Sequence, residues 1–168
     1  LSVVTSPVRS GSRAFRVNVA SASCLNTFTS SLITVNGISV HRFYVRFGTL
    51  PNTDTMIYVV NTSSGAVGLG FLASDSKLYC IANNITFSVG ATGFLVTTDI
   101  WYLVDLKLDQ TAGSHKSDGA VNGTVLGQAT VVDSSTSSQI RFGTSKVTTT
   151  DIYFDDFAIS NTSGDYPI

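Results

Sequence analysis

Apolar and polar positions alternate with period two along most of the chain, and no stretch of twelve residues carries a helical period. The sharpest alternation runs Ser39-Val40-His41-Arg42-Phe43-Tyr44-Val45-Arg46-Phe47. Phe43, Val45 and Phe47 share one face, and Arg42, Tyr44 and Arg46 share the other. A second strand, Trp101 to Asp109, places Tyr102, Val104, Leu106 and Leu108 on one side and Trp101, Leu103, Asp105 and Lys107 on the other. Ala14 to Val19 alternates with Phe15, Val17 and Val19 inward, while Met56 to Val60 is apolar on both faces and predicts a central strand. Shorter strands are predicted at Leu1 to Val4, Val67 to Leu72, Leu78 to Ala82, Ile85 to Val89, Phe94 to Thr97, Ile140 to Gly143 and Asp151 to Ile159. Asn36-Gly37, between Leu32 to Val35 and Ile38 to Phe47, predicts a hairpin, as does Asn122-Gly123 within Ala120 to Val125. Gly48 to Thr55 reads as a turn, and Gln110 to Gly119 and Ser134 to Ser138 as polar loops. Strands arriving every eight to twelve residues with turns between them predict an all-β fold, an antiparallel two-sheet β-sandwich, in one domain over residues 1–168.

Composition narrows the function. Hydrophobic residues make up 43% and charged residues 12%, about half the usual charged share. The polar surface therefore falls to Ser, Thr, Asn and Gly. A net charge of −1 gives no basic surface for nucleic acid. No apolar run reaches membrane-spanning length, so membrane insertion is not expected. The two histidines, His41 and His115, have no zinc-ligand spacing, and His115 is expected to be solvated in its polar loop. No G-x-S-x-G elbow and no phosphate loop leading into a helix occurs. All eleven acidic residues are aspartates, so any mechanism that needs glutamate is absent. Asp155 and Asp156, adjacent on a strand, should point to opposite faces and cannot flank one bond.

The C-terminal half carries a resemblance. Trp101-Tyr102-Leu103-Val104-Asp105-Leu106, then the Val121-Asn122-Gly123 hairpin, then Ile140-Arg141-Phe142-Gly143, then Tyr153-Phe154-Asp155-Asp156-Phe157-Ala158-Ile159 resembles the concanavalin A-like, LamG-like jelly rolls. The likeness covers roughly residues 101–160; the N-terminal half fits in strand count and spacing only. It implies two curved sheets whose concave face carries the ligand, on a fold that hosts lectins, hydrolases, lyases and virion or adhesin modules. It also implies a structural calcium, with Asp155 or Asp156 as ligand and backbone carbonyls near the N-terminus completing the six to eight oxygens. The alternative is that these aspartates cap turns or pair with an arginine such as Arg16 or Arg141. The glutamate pair of the family's glycoside hydrolases is missing. A polysaccharide lyase would need a cation and a Tyr or His; Arg42, Tyr44 and Arg46 share a face, His41 opposes them, and the lyase strand motifs are absent.

The candidate ligand face is Arg42, Tyr44 and Arg46, an aromatic platform flanked by planar polar groups, and loop residues near Trp101 are a further candidate. Its alternative is plain surface, with arginine stems packed beside Tyr44 and Trp101 packing an edge. Cys24 and Cys80 are either free thiols or a disulfide; the bridge would close a loop of roughly 57 residues and stabilise by about 4 kcal/mol. Asn-x-Ser/Thr sequons start at Asn61, Asn84, Asn122 and Asn161, most of them expected by chance in a chain so rich in Asn and Thr. The function expected is a non-catalytic module for glycan recognition or adhesion, displayed extracellularly on a cell or virion surface. Its partners would be a glycan or neighbouring subunits, including copies of itself. The alternatives are a structural virion decoration or fibre module without glycan binding, and a polysaccharide lyase.

Overall fold

A computed structural model describes residues 1–29, 37–61, 65–83, 88–111 and 113–165. Its strands are β1 Ser2–Val4, β2 Ala14–Thr29, β3 Ile38–Thr49, β4 Thr55–Asn61, β5 Ala66–Leu72, β6 Lys77–Ala82, β7 Ser88–Val89, β8 Phe94–Leu95, β9 Trp101–Asp109, β10 His115–Val121, β11 Thr124–Val125, β12 Ala129–Val131 and β13 Gln139–Ser160. A 3₁₀ turn, Ser163–Asp165, follows β13. All pairings are antiparallel.

Two sheets share one long bent ribbon. β13 pairs with β2 along most of its length. Its C-terminal half also pairs with β3, which continues through β9 and β10 to β11; this is the front sheet. Its N-terminal half pairs with β4, which continues through β5 and β6 to β7; this is the back sheet. The sheets face each other, and Ser117 of β10 donates its hydroxyl across the gap to the Gly68 carbonyl of β5 at 2.7 Å. The result is an antiparallel β-sandwich of jelly-roll type.

The core follows the alternation. Phe43, Val45 and Phe47 of β3, Val104, Leu106 and Leu108 of β9, and Ile152 and Phe154 of β13 are fully buried between the sheets. They meet Tyr58, Val60, Leu69, Phe71, Leu78 and Cys80 of the back sheet. β4 lies between β13 and β5 and is apolar on both faces, as its sequence predicts. Asn122 and Gly123 take positive φ of 49° and 77°, the turn that an Asn-Gly hairpin needs. The Asn36-Gly37 hairpin and its strand Leu32 to Val35 lie outside the described residues, apart from Gly37.

Three expectations are corrected, and one left open is decided. Ile140 to Gly143 and Asp151 to Ile159 are one strand, because bulges carry the ladder around the bend instead of ending it. Threonines replace the interrupted backbone bonds there: Thr144 Oγ1 accepts from Cys24 N, and Thr150 Oγ1 donates to the Thr49 carbonyl. Gln110 to Gly119 is not a loop throughout, since His115 begins β10. His115 is fully buried, not solvated, with Nδ1 3.6 Å from the buried Asp133 carboxylate. Polar residues on the inner face of β10, His115 and Ser117, hide its alternation. Cys24 and Cys80 are free thiols. β2 and β6 stand four strand spacings apart in the back sheet, roughly 19 Å at about 4.8 Å each, whereas a disulfide needs Cα atoms within about 7 Å.

Candidate functional site

The outer face of the front sheet gathers arginines and aromatics in rows. Arg16 on β2 stands opposite Tyr153 on β13, Tyr153 opposite Arg46 on β3, and Arg46 opposite Trp101 on β9. Their neighbours Val17, Phe154, Val45 and Tyr102 point into the core, so alternation turns this row outward. Tyr153 is 6% exposed, flanked by the Arg16 and Arg46 guanidiniums at 5.5 and 5.4 Å from its ring centroid.

Each arginine of the row is tied to a carboxylate. Arg16 grips Asp151 with two nitrogens at 2.8 Å, and the Tyr153 hydroxyl donates to the same carboxylate at 2.8 Å. Burial pushes the Asp151 carboxyl up, but the hydrogen bonds from Arg16 and Tyr153 outweigh it and leave it below its ordinary range. Burial, and then donation to Asp151, raises the Tyr153 phenol. Arg46 bonds Asp99. Trp101 is half-buried, and its indole N–H makes no hydrogen bond to another described residue.

Next along β3, Tyr44 stands opposite Asp155 and Leu103. The Arg9 guanidinium lies 4.5 Å above the Tyr44 ring centroid and reaches the Tyr44 hydroxyl at 3.5 Å. Arg42 follows, with Nε donating to Asp105 at 2.6 Å; this bond raises the Arg42 pKa against its desolvation. Beside that pair opens a cavity of about 210 Å³, lined by Val40, Arg42, Asp105, Ile159, Ser160 and Asp165. Clefts that enclose small molecules run to about 300–1,000 Å³, so this one takes part of a ligand and leaves the rest on the surface.

Arg42, Tyr44 and Arg46 thus share one face, as the alternation predicts, and the pairing of β3 with β9 adds Trp101 to it. The tyrosine platform differs from the expectation. Tyr44 is half-buried beneath Arg9, so the outermost layer here is guanidinium, and the aromatic with a free polar edge is Trp101. Sequence reasoning missed Arg9, Arg16 and Tyr153 as members of the face. Strand register could have found Arg16 and Tyr153; no local pattern points to Arg9, which lies in a loop 35 residues from Tyr44.

Asp155 and Asp156 do not point apart. Asp156 takes φ of 53° at a bulge opposite β3, and this left-handed step turns both carboxylates to the loop at Arg9 and Ser10. Asp155 Oδ2 accepts from Arg9 N at 2.7 Å and Ser10 N at 3.4 Å, Asp155 Oδ1 accepts from Asp156 N at 2.8 Å, and Asp156 accepts from the Ser10 hydroxyl. Asp155 turns toward N–H donors, and no cluster of three or more metal-binding side chains occurs among the described residues. The turn-capping alternative describes the two aspartates, and Arg16 pairs with Asp151 instead.

No imidazole reaches the face. His41 is fully buried, with Nε2 2.8 Å from the Ser39 hydroxyl and Nδ1 3.0 Å from the Tyr58 hydroxyl. What the face offers is planar cationic donors, carboxylate acceptors and one indole.

No protein-family model matches the sequence, and no curated protein matches it. Solved structures do share the fold. A botulinum neurotoxin type C structure, from work on cell entry dependent on two ganglioside molecules, superposes with a TM-score of 0.64 at 14% identity, over 97% of this chain and 42% of that one. The binding domain of botulinum neurotoxin DC in complex with SialylT gives 0.62 at 15% identity, over 96% and 41%. Trypanosoma rangeli sialidase in complex with 2,3-difluoro-KDN gives 0.58 at 14% identity, over 75% and 21%. The chain spans less than half the length of each, and at such identity the likeness is one of fold.

Proposed function

We propose that this chain is a non-catalytic glycan-recognition module that binds through the outer face of its front sheet. The observation that carries the reading is the cross-strand row Arg16–Tyr153–Arg46–Trp101, with Arg42 and its cavity beside it. Hydrogen-bonding guanidiniums and carboxylates next to an indole suit sugar hydroxyls and the apolar face of a pyranose. Proteins of the same fold that bind gangliosides or a sialylated ligand lend support, as whole proteins of which this chain matches under half. The non-catalytic part rests on the missing glutamates and the burial of both histidines. Display on a cell or virion surface, for adhesion, belongs to the same proposal.

A glycan array comparing the wild type with an Arg42→Ala/Trp101→Ala double variant tests it. The expected result is binding by the wild type and a loss of tenfold or more in the variant, with both proteins shown to be folded by circular dichroism. Equal binding by both proteins would refute the face.

A further inference from the structure

We propose, on the glycan-binding reading above, that Arg9 is the recognition group of this face and that it selects sugars bearing an anionic group, a carboxylate or a sulfate. Arg16, Arg42 and Arg46 are each committed to an aspartate: Asp151, Asp105 and Asp99. Arg9 is exposed, and among the described residues its guanidinium meets no carboxylate; its contact is the Tyr44 ring and hydroxyl. Among the described residues it is an exposed cation of the face without a carboxylate partner.

Arg9 is also held in place. Its own N–H donates to Asp155, the next N–H donates to the same oxygen, and the Ser10 hydroxyl bonds Asp156. The bulge at Asp156 brings both carboxylates under this one loop. The Asp155 charge is met by three backbone N–H groups, from Arg9, Ser10 and Asp156, so it is compensated locally rather than by the Arg9 side chain. A loop pinned at two points, with its guanidinium 4.5 Å over a tyrosine ring, loses little further freedom on binding. A guanidinium presents parallel N–H donors that match a carboxylate or sulfate. Arg42, two residues from Tyr44 on the same face and 47% exposed in its side chain, uses Nε for Asp105 and keeps its terminal nitrogens for the sugar's other oxygens.

Calorimetric titration of the purified chain tests this with three probes: a carboxylated oligosaccharide (sialyllactose), a sulfated one (a chondroitin sulfate oligosaccharide) and neutral lactose. The expected result is at least tenfold tighter binding of one or both acidic sugars, weakening with salt. Arg9→Ala should erase that preference, and Arg9→Lys should restore part of it. A gain from the carboxylated sugar alone names the carboxylate as the selected group; a gain from the sulfated sugar names the sulfate ester. Equal affinity for neutral and acidic sugars, or a preference that survives in Arg9→Ala, would overturn the assignment while leaving glycan binding standing. If none of the probes and no glycan on the array binds, the glycan-binding reading falls and the assignment with it.

Discussion

Burial at His41 pushes its imidazole down to about 3, because a proton there would place a charge in the core between Ser39 and Tyr58. The sign follows directly. The unfolded chain protonates this residue near pH 6.5, whereas the folded chain keeps it neutral to about 3. The stabilisation is therefore complete above pH 6.5 and is lost as pH falls from there toward 3, at up to about 1.4 kcal/mol per pH unit. Urea unfolding at pH 6.5 and 4.5 should show His41→Gln losing less stability over that interval than the wild type, by roughly 2–3 kcal/mol. The same pH slope in both proteins would show that His41 does not contribute. At this scale the alternation of β3 assigned His41 inward and Arg42, Tyr44 and Arg46 outward, because side-chain direction in a strand is a local property. What lies over Tyr44 is not local, and Arg9 was therefore invisible in the sequence. The fate of Asp155 and Asp156 was hidden for a related reason: a single positive φ reverses the direction that alternation predicts.

Among the elements, β13 ties the fold together, since its two halves belong to different sheets. Gly143 sits where the ribbon approaches its bend, at φ 124°, and a Cβ there would stand 2.0 Å from the Cys24 carbonyl oxygen. Gly143→Ala should therefore cost about 2 kcal/mol or more, whereas Gly164→Ala, with nothing within 4 Å of its Cβ, should stay within about 0.5 kcal/mol. Chemical denaturation of the two variants checks the contrast, and equal stability would mean the bend is not held as described. Strands with an apolar inner face, such as β3, β4 and β9, were legible from the sequence. β10 was not, because it turns His115 and Ser117 inward and satisfies Ser117 on the Gly68 carbonyl of the opposite sheet. A polar residue that finds its partner in another sheet gives no periodic signal of its own.

For the whole molecule, strand spacing and turn chemistry indicated an antiparallel two-sheet sandwich, the resemblance over residues 101–160 implied its jelly-roll type, and solved structures of the same fold agree with it. The pairing order that places Trp101 beside Arg46 and Tyr153 is a long-range property, set by which inner faces bury one another. Nothing in the spacing of residues 46, 101 and 153 announces it. The same pairing order separates Cys24 from Cys80, which spacing alone left open. Trp101 is the single tryptophan of the chain, and it stands half-buried on the proposed binding face. Its intrinsic fluorescence therefore reports on that face and on no other. The most direct measurement is a fluorescence titration of the wild type with the tightest glycan from the array, run beside calorimetry on the same sample. A saturable change in Trp101 emission with the calorimetric Kd is the expected result. Heat of binding with no change in that emission would place the glycan elsewhere on the molecule and contradict the account.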